Sequence, residues 1–487
     1  MPLAYDPAEN EHFWEKVRKL PGFPHGEEIC LRHMLIDSNA LFRIQEVLYS
    51  IGIQANQPLV VVMDTTPMRR GADDLKPLVL SVLSQAGWEV ETCILQPDSS
   101  GQVHTDLPHI LQVKEHLSAQ KGVVSVGSGV VTDITKHACY LFDQEHGTHL
   151  PYLVYQTANS VSAYTSNMAP TLIEGVKRTL PSRYPDALIC DLETLRDAPQ
   201  EMTIAGVGDL LAVFVSMADW YLAHQLGMDE SWTPLPELLM GPLDELLIQN
   251  AEGIRNRSLD AMALLAKLIT LGGIAMSLSH ATAPLSGFEH IISHTLDLQN
   301  EVRQKPLALH GMQIALAAVL GAAAYRIFLE RFDPGQVDCS RCYPEPESMH
   351  RFILQTFHPL DPTDRAGEEC WSDYCTKLER WFAAREKLDG FLSRWAEIRP
   401  EVAKRTRSPE YIRSIFAAVD GPTRFAELEP PLEEVEVRFA FLNAPLIRKR
   451  FTIGDLFIWF NWDREALWRE VWEITQTPLV NRNKAGT

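Results

Sequence analysis

The sequence predicts an α/β domain built on a mostly parallel sheet, followed by an all-helical domain. Two observations carry this. Between residues 59 and 190, short β-rich runs alternate with helical runs, and beyond about residue 191 the strand signal fades into long helical stretches. A β-α-β-α rhythm implies a parallel sheet with helices on its faces. The 487 residues, 46% hydrophobic and 22% charged, have ordinary globular composition and length for two or three domains.

The elements follow in order. Residues 1–27 read as an N-terminal extension; their start, MPLAYDPAENEHFWEKVRKL, has acids and no apolar core, so it is neither a signal peptide nor a lipidation site. Residues 59–63, LVVVM, form a continuous apolar run, as a strand covered on both faces requires. Helix is expected at 74–87, strand at 89–95, helix at 110–119, strand at 123–126, helix at 131–142, and strands at 152–155 and 187–190. This gives a Rossmann-like domain over 28–190, whose ligands would sit at the carboxyl ends of the strands. Helices follow at 203–225, 236–252, 257–280, 288–300, 307–331, 346–357 and 371–397, and 408–475 is mainly helical around a Pro- and acid-rich connection at 421–437. The helical domain thus covers 191–487.

Lys+Arg 44 against Asp+Glu 64 gives a net charge of −20, which argues against nucleic-acid and anionic-membrane binding. A small anionic substrate is not excluded, because a local basic or metal site overrides the global field. The apolar stretches 261–287 and 307–325 contain Lys267, His280, His310 and Gln313, so buried core helices explain them better than membrane spans. Eight dispersed Cys and no secretory signal point to reduced thiols and a cytoplasmic protein. The expected partner is a small-molecule substrate, and a homodimer is left open.

Three motifs carry chemistry. In GSGVVTD (127–133), which follows a strand and opens a helix, Gly127 and Gly129 would let backbone N–H groups approach a phosphate at a helix N-terminus. The pattern is not GxGxxG, and a tight turn capped by Ser128 or Thr132 explains it equally well. In SGFEHIISH, His290 and His294 share one helix face and could meet one site, or be unrelated polar positions. Asp209, in AGVGDLLA, reads as a first-turn acid favoured by the helix dipole, and His310, in LALHGMQIAL, as a core histidine. Taken together, Asp209, His290 and His310 offer one carboxylate and two imidazoles, a set that suits a catalytic divalent metal, whether zinc, iron or nickel.

The chain resembles the sn-glycerol-1-phosphate dehydrogenases, in the superfamily of dehydroquinate synthases and iron-containing alcohol dehydrogenases. GSGVVTDITK (127–136) resembles the family's pyrophosphate turn, QTANSVSAYTS (156–166) its cofactor and substrate loop, and GVKRTLPSRYPDALICDLETLRDAP (175–199) its domain connection. AGVGDLLA, SGFEHIISH, LHG and NAPLIRKRFTIGDL (443–456) follow in family order, so the match runs from about 59 to about 456. Residues 335–425 look like extra material. The resemblance implies a dehydroquinate synthase-like fold, bound NAD or NADP, one divalent metal (zinc first, nickel or iron next) and reduction of dihydroxyacetone phosphate to sn-glycerol 1-phosphate. It implies metal ligands at Asp209, His290 and His310, with substrate contacts at Asp209, His294 and Ser162. Cofactor contacts fall on Asp64, Gly127, Ser128, Gly129, Val130, Val131, Thr132, Asp133, Thr157, Ala158, Asn159, Ser160 and Ser166. Asp64 would take the adenosine ribose hydroxyls and so favour NAD weakly.

Two departures bear on substrate. Ser162 stands where the family has a substrate-binding Asp, and Phe288 replaces a small residue and is expected to point into the same neighbourhood. These keep open a dehydrogenase of the same scaffold for another small polyol, hydroxy acid, phosphate or phosphonate. A dehydroquinate-synthase-like cyclase and a non-catalytic interaction protein are further alternatives. Cys339, Cys342, Cys370 and Cys375 also allow a structural zinc site, although four free thiols fit their loose spacing better.

Overall fold

The computed structural model describes residues 3–26, 29–98, 101–173 and 176–478. By packing, the chain forms two compact units: Met1–Leu210 with Thr233–Thr282, and Leu211–Trp232 with Ala283–Thr487.

In the first unit, β1 (His33–Asp37), β2 (Leu59–Asp64), β3 (Val90–Leu95), β4 (Gly122–Gly127), β5 (Tyr152–Gln156) and β8 (Ala187–Asp191) form one parallel sheet of order β1-β8-β5-β4-β2-β3. β6 (Met168–Ile173) and β7 (Val176–Pro181) make a separate antiparallel hairpin. The run LVVVM is β2, and Leu59 to Met63 are at most 4% exposed because helices cover both faces. One face packs Val61, Met63, Val124 and Val126 against Leu75, Val79 and Leu83 of the helix Leu75–Gln85.

The crossovers place the site. From β2 the chain passes through Leu75–Gln85 to β3 on one side. It then returns through Leu107–Glu115 to β4 on the other side. The order therefore reverses between β2 and β4, and the crevice beyond their carboxyl ends is where open α/β sheets bind ligands. Asp64 ends β2 and Gly127 ends β4, with Met63 paired to Val126 just below.

Strand β1 and the β6–β7 hairpin were not expected from the sequence. β1 is a short edge strand of five residues, and the hairpin begins two residues after the loop 156–166. Several predicted helices are broken: 203–225 into Gln200–Leu210 and Val213–Gln225, and 236–252 into Leu235–Met240, Leu243–Gln249 and Ala251–Arg255, where Gly241 and Pro242 interrupt. Among the described residues, three helical stretches are long and apolar enough to cross a membrane, Gln200–Gln225 (the two helices together), Leu259–Leu278 and His310–Arg331, and 78–89% of their most apolar windows are buried inside the protein.

The second unit is helical, built around Phe288–Val302 and His310–Arg331. The segment 335–425 is bonded into it. Lys377 pairs with Asp455 at 2.6 Å with both side chains fully buried, and Trp381 stacks on Trp459 with ring centroids 4.4 Å apart. The Tyr374 hydroxyl accepts a hydrogen bond from Trp459 Nε1 at 3.1 Å. Three cysteines of this segment point at separate partners: Cys339 at Asp389, Cys342 at the Asp338 carbonyl and Cys375 at Glu379. Among the described residues Cys339, Cys342, Cys370 and Cys375 are in no group that could hold a metal.

Candidate active site

The turn after β4 has the features of an anion cradle. The helix Gly129–His146 starts with no side-chain cap from Ser128, so the capped-turn alternative is not what the structure adopts. The first N–H groups of an 18-residue helix are left to an outside acceptor, which suits a phosphate. Glycine at 129 also serves packing, since a Cβ there would lie 2.7 Å from Val161 Cγ2 of the next loop. Thr132 is fully buried and its Oγ1 has no partner among the described residues, as is also true of Thr157 Oγ1. Val130 and Ser128 are half-buried, and Val131 is buried in the helix's packed face.

Asp133 lies on this helix but turns to Lys136, whose ammonium is 2.8 Å from Oδ1 and fully buried. Lys136, which motif reading passed over, also donates to the Ala163 carbonyl at 2.9 Å and so pins the loop to the helix. In that loop, Asn159 Nδ2 bonds the Met262 carbonyl at 3.1 Å, Ser160 Oγ pairs with the Tyr164 hydroxyl, and the same hydroxyl donates to the Ala158 carbonyl. Ser166 Oγ bonds the Ala163 and Met168 carbonyls. These polar side chains shape the loop, and Thr157 holds it to β4 through its N–H on the Gly127 carbonyl at 3.2 Å.

Asp64 is held from both sides. Lys76 Nζ lies 2.5 Å from Oδ1, and the Thr66 hydroxyl donates to Oδ2 at 2.7 Å. The carboxylate expected at the ribose thus carries its own counter-charge.

Asp209 is in the last turn of Gln200–Leu210, not the first. There the helix dipole opposes a carboxylate, so the helix gains nothing from it. Its Oδ2 instead accepts from the Ser162 N–H at 2.9 Å and the Ser162 hydroxyl at 3.0 Å. Ser162 therefore orients Asp209. Gly206, one turn earlier, lets the loop approach: a Cβ there would meet the Asn159 carbonyl oxygen at 2.0 Å.

The second unit gathers three imidazoles. The ring centroids of His290 lie 6.0 Å from His294 and 5.2 Å from His310, and His294 stacks on His310 at 5.7 Å. A ligand nitrogen of His290 and one of His310 come within 4.8 Å of each other. The two histidines of the shared helix face have opposite partners. His290 Nδ1 meets Glu289 Oε1 at 2.9 Å, so Nδ1 carries the proton and Nε2 keeps its lone pair. His294 Nδ1 faces Arg448 Nη2 at 3.4 Å and must accept, so Nε2 carries the proton. The first arrangement makes a metal ligand and the second a proton donor.

Glu289 is fully buried, and its Oε1 also accepts the Gly287 N–H at 2.7 Å. Behind it, burial and the neighbouring Glu289 push the Asp219 carboxyl up to about 8. Arg450 is driven down to about 10 by burial, with Glu289 and Asp229 opposing. Phe288 does not enter this neighbourhood as expected: it is 1% exposed and packs on Phe441 at 5.3 Å and against Gly454. A second cluster, Cys30, His149 and Asp186, already contains a cation, since Arg183 Nη2 donates to Asp186 Oδ2 at 2.7 Å and lies 3.0 Å from His149 Nε2.

Residues 35–199 match the family model described as iron-containing alcohol dehydrogenase. The chain is 32% identical over 272 residues to glycerol-1-phosphate dehydrogenase [NAD(P)+] of Bacillus subtilis, covering 56% of this chain and 66% of that one. It is 31% identical over 258 residues to the protein of that name from Halalkalibacterium halodurans, covering 51% and 61%. The chain therefore spans just under two thirds of these relatives' lengths. Among solved structures it is similar to a probable glycerol dehydrogenase from Sinorhizobium meliloti (TM-score 0.54, 15% identity, covering 92% and 98%). Glycerol dehydrogenase from Schizosaccharomyces pombe also shares the fold (TM-score 0.54, 12% identity, covering 92% of each chain). With a parallel sheet, an uncapped turn after β4 and these matches, the chain is similar to the iron-containing alcohol dehydrogenases over residues 35–199 and shares the fold of the glycerol dehydrogenases.

Proposed function

We propose that this protein is a metal-dependent, NAD(P)-linked oxidoreductase that interconverts a small phosphorylated ketone of the dihydroxyacetone phosphate kind with its alcohol. The observation that carries the reading is the opposed partners of two histidines on one helix face, a carboxylate on His290 Nδ1 and a guanidinium on His294 Nδ1, because they favour a ligand at His290 and a proton donor at His294. Asp209, His290 and His310 each offer one ligand atom, an oxygen and two nitrogens, which suits zinc, with nickel and iron as alternatives. When bound, the metal would supply Lewis acidity toward the substrate oxygen and the dinucleotide a hydride.

The chain's own residues do the rest. Ser162 and Glu289 hold Asp209 and His290 in their ligating orientations. The N–H groups that open Gly129–His146 receive the pyrophosphate, and Asp64 with Lys76 faces the adenosine ribose. His294 Nε2–H is placed to give its proton to the alkoxide oxygen as a ketone is reduced, and to take one back in oxidation. Eight dispersed cysteines, none in a disulfide among the described residues, support a cytoplasmic location.

The test is to follow NADH and NADPH absorbance in the metal-loaded protein with dihydroxyacetone phosphate and a panel of other ketones. Reduction of the phosphorylated ketone that is lost in His310→Ala together with the metal supports the reading. A protein that oxidises neither dinucleotide against any ketone refutes it. One observation favours a second reading, a different substrate on the same scaffold: Ser162 spends its hydroxyl on Asp209, so the hydrogen bond of the family's Asp to substrate has no direct replacement from that position. A better ketone in the same panel would decide for it.

A further inference from the structure

We propose that Asp219 is the positioning residue of the histidine-bearing helix: it sets where Phe288–Val302 starts, and so where the nitrogens of His290 and His294 stand. This rests on the metal-dependent reading above and assigns the group that holds its imidazoles in place.

The grip is built on one neighbouring helix. Ser216 and Asp219 lie three residues apart on Val213–Gln225 and so share a face. The Ser216 hydroxyl donates to the Pro284 carbonyl at 2.6 Å, and Asp219 Oδ2 accepts the Phe288 N–H at 2.7 Å. These two bonds hold both ends of the turn that enters the histidine helix. Between them Gly287 passes so close that a Cβ would lie 2.6 Å from both Ser216 Cα and Asp219 Oδ2. A side chain at 287 would push the helix off its seat. Glycine at the N-cap also means that no local side chain caps this helix. The Phe288 N–H is one of the first-turn donors with no acceptor inside the helix, and Asp219 supplies one from 69 residues away. His290 follows two residues later, too near for the helix to absorb a shift at its start.

Asp219 is itself fixed. It is 1% exposed, and its Oδ1 accepts the Tyr325 hydroxyl at 2.5 Å and the Ile453 N–H at 2.7 Å. Tyr325 belongs to His310–Arg331, the helix that opens with His310, and Ile453 opens Ile453–Trp459. One carboxyl group thus ties four helices, two of which carry the imidazoles. Burying such a group is unfavourable unless its oxygens are bonded, and here two of the three bonds go to the helices that carry the histidines.

The experiment uses the native protein, Asp219→Asn, Ser216→Ala and Tyr374→Phe. It measures zinc affinity of the metal-free protein against a chromophoric chelator, visible absorption of the cobalt-loaded protein, and thermal unfolding. An amide nitrogen accepts no hydrogen bond, whereas both oxygens of a carboxyl group do, charged or neutral. Asp219→Asn therefore leaves either the Phe288 N–H or the Tyr325 and Ile453 donors without an acceptor. Its zinc affinity should fall roughly 10-fold, as when a group that orients a metal ligand is lost, and its cobalt bands should shift. Ser216→Ala, the milder change, should lose a few-fold. Tyr374→Phe removes the acceptor of Trp459 Nε1, a bond outside this grip; it should lower the thermal midpoint and keep native zinc affinity. If Asp219→Asn and Ser216→Ala behave as Tyr374→Phe does, less stable but with native affinity and cobalt bands, Asp219 is structural only and the proposal is overturned. Should Asp219→Asn not fold, Ser216→Ala decides alone, and native affinity in it overturns the proposal. A native protein that binds neither zinc nor cobalt overturns the metal-dependent reading together with this one, whereas native binding that both variants retain overturns only this one.

Discussion

Replacing Glu289 separates ligand orientation from fold. Glu289 Oε1 is the acceptor for two donors, the Gly287 N–H at 2.7 Å and His290 Nδ1–H at 2.9 Å, in a fully buried position. In Glu289→Leu both donors lose their acceptor where no water replaces it. The Gly287 bond belongs to the metal-free fold, and its loss costs about 1–3 kcal/mol, partly offset because Asp219 no longer faces a second carboxylate. The His290 bond belongs to ligation. Without it the imidazole is free to flip or to change tautomer, and metal affinity should fall roughly 10- to 100-fold. Glu289→Gln keeps a carbonyl oxygen for both donors and should lose less than about 10-fold in affinity. The assay is zinc titration of the metal-free protein against a chromophoric chelator, with His290→Ala as the reference for lost ligation. Thermal unfolding of the metal-free protein reports the fold separately. Native zinc affinity and stoichiometry in a folded Glu289→Leu protein would refute the tautomer assignment of His290.

Three further outcomes are expected. Gly206→Ala places a Cβ 2.0 Å from a backbone carbonyl oxygen of the cofactor loop, so helix and loop must separate; the cost is at least about 1–3 kcal/mol, and an unchanged thermal midpoint would show that the contact is soft. Lys76→Ala strips the counter-charge from Asp64, so NADPH binding should weaken by roughly 10-fold relative to NADH; equal shifts measured by fluorescence titration would remove Asp64 from the ribose site. Folded Asp219 holds its proton up to about 8 against an ordinary 3.8, so between these values the unfolded chain binds fewer protons and stability falls as pH rises. Urea midpoints of the metal-free protein at about pH 5 and about pH 7.5 should therefore differ less in Asp219→Asn than in the native protein. An identical difference would mean that other groups set the slope.

Part of the site was readable one residue type at a time. His290 and His294 share a helix face because four residues make about one turn, and the helix Phe288–Val302 carries them as spacing requires. The same rule could have placed Phe288: it sits two positions before His290, on another side of the helix, and the structure buries it against Phe441. Sequence adjacency to a functional residue was a poor guide to direction. The helix dipole places Asp209 in a first turn, yet the helix begins at Gln200 and Gly206 is there for a close approach to Asn159. Ser162 is expected to face substrate, and only its distance to Asp209 shows that it also braces that carboxylate.

What the sequence by itself determined is whatever depends on local pattern. A continuous apolar run such as LVVVM can be satisfied only between two covered faces. A Gly-rich turn between strand and helix must leave backbone donors near its opening, and a four-residue helical spacing must align two imidazoles. The tertiary structure alone decided which proton each imidazole carries, which cation meets which acid, and which glycine serves packing. Those depend on partners distant in the chain: Arg448 lies 154 residues from His294, and Ser162 lies 47 from Asp209. Hydrogen-bond direction and charge pairing are set by distances of about 3 Å, and no periodicity in one dimension encodes a distance between segments that only packing brings together.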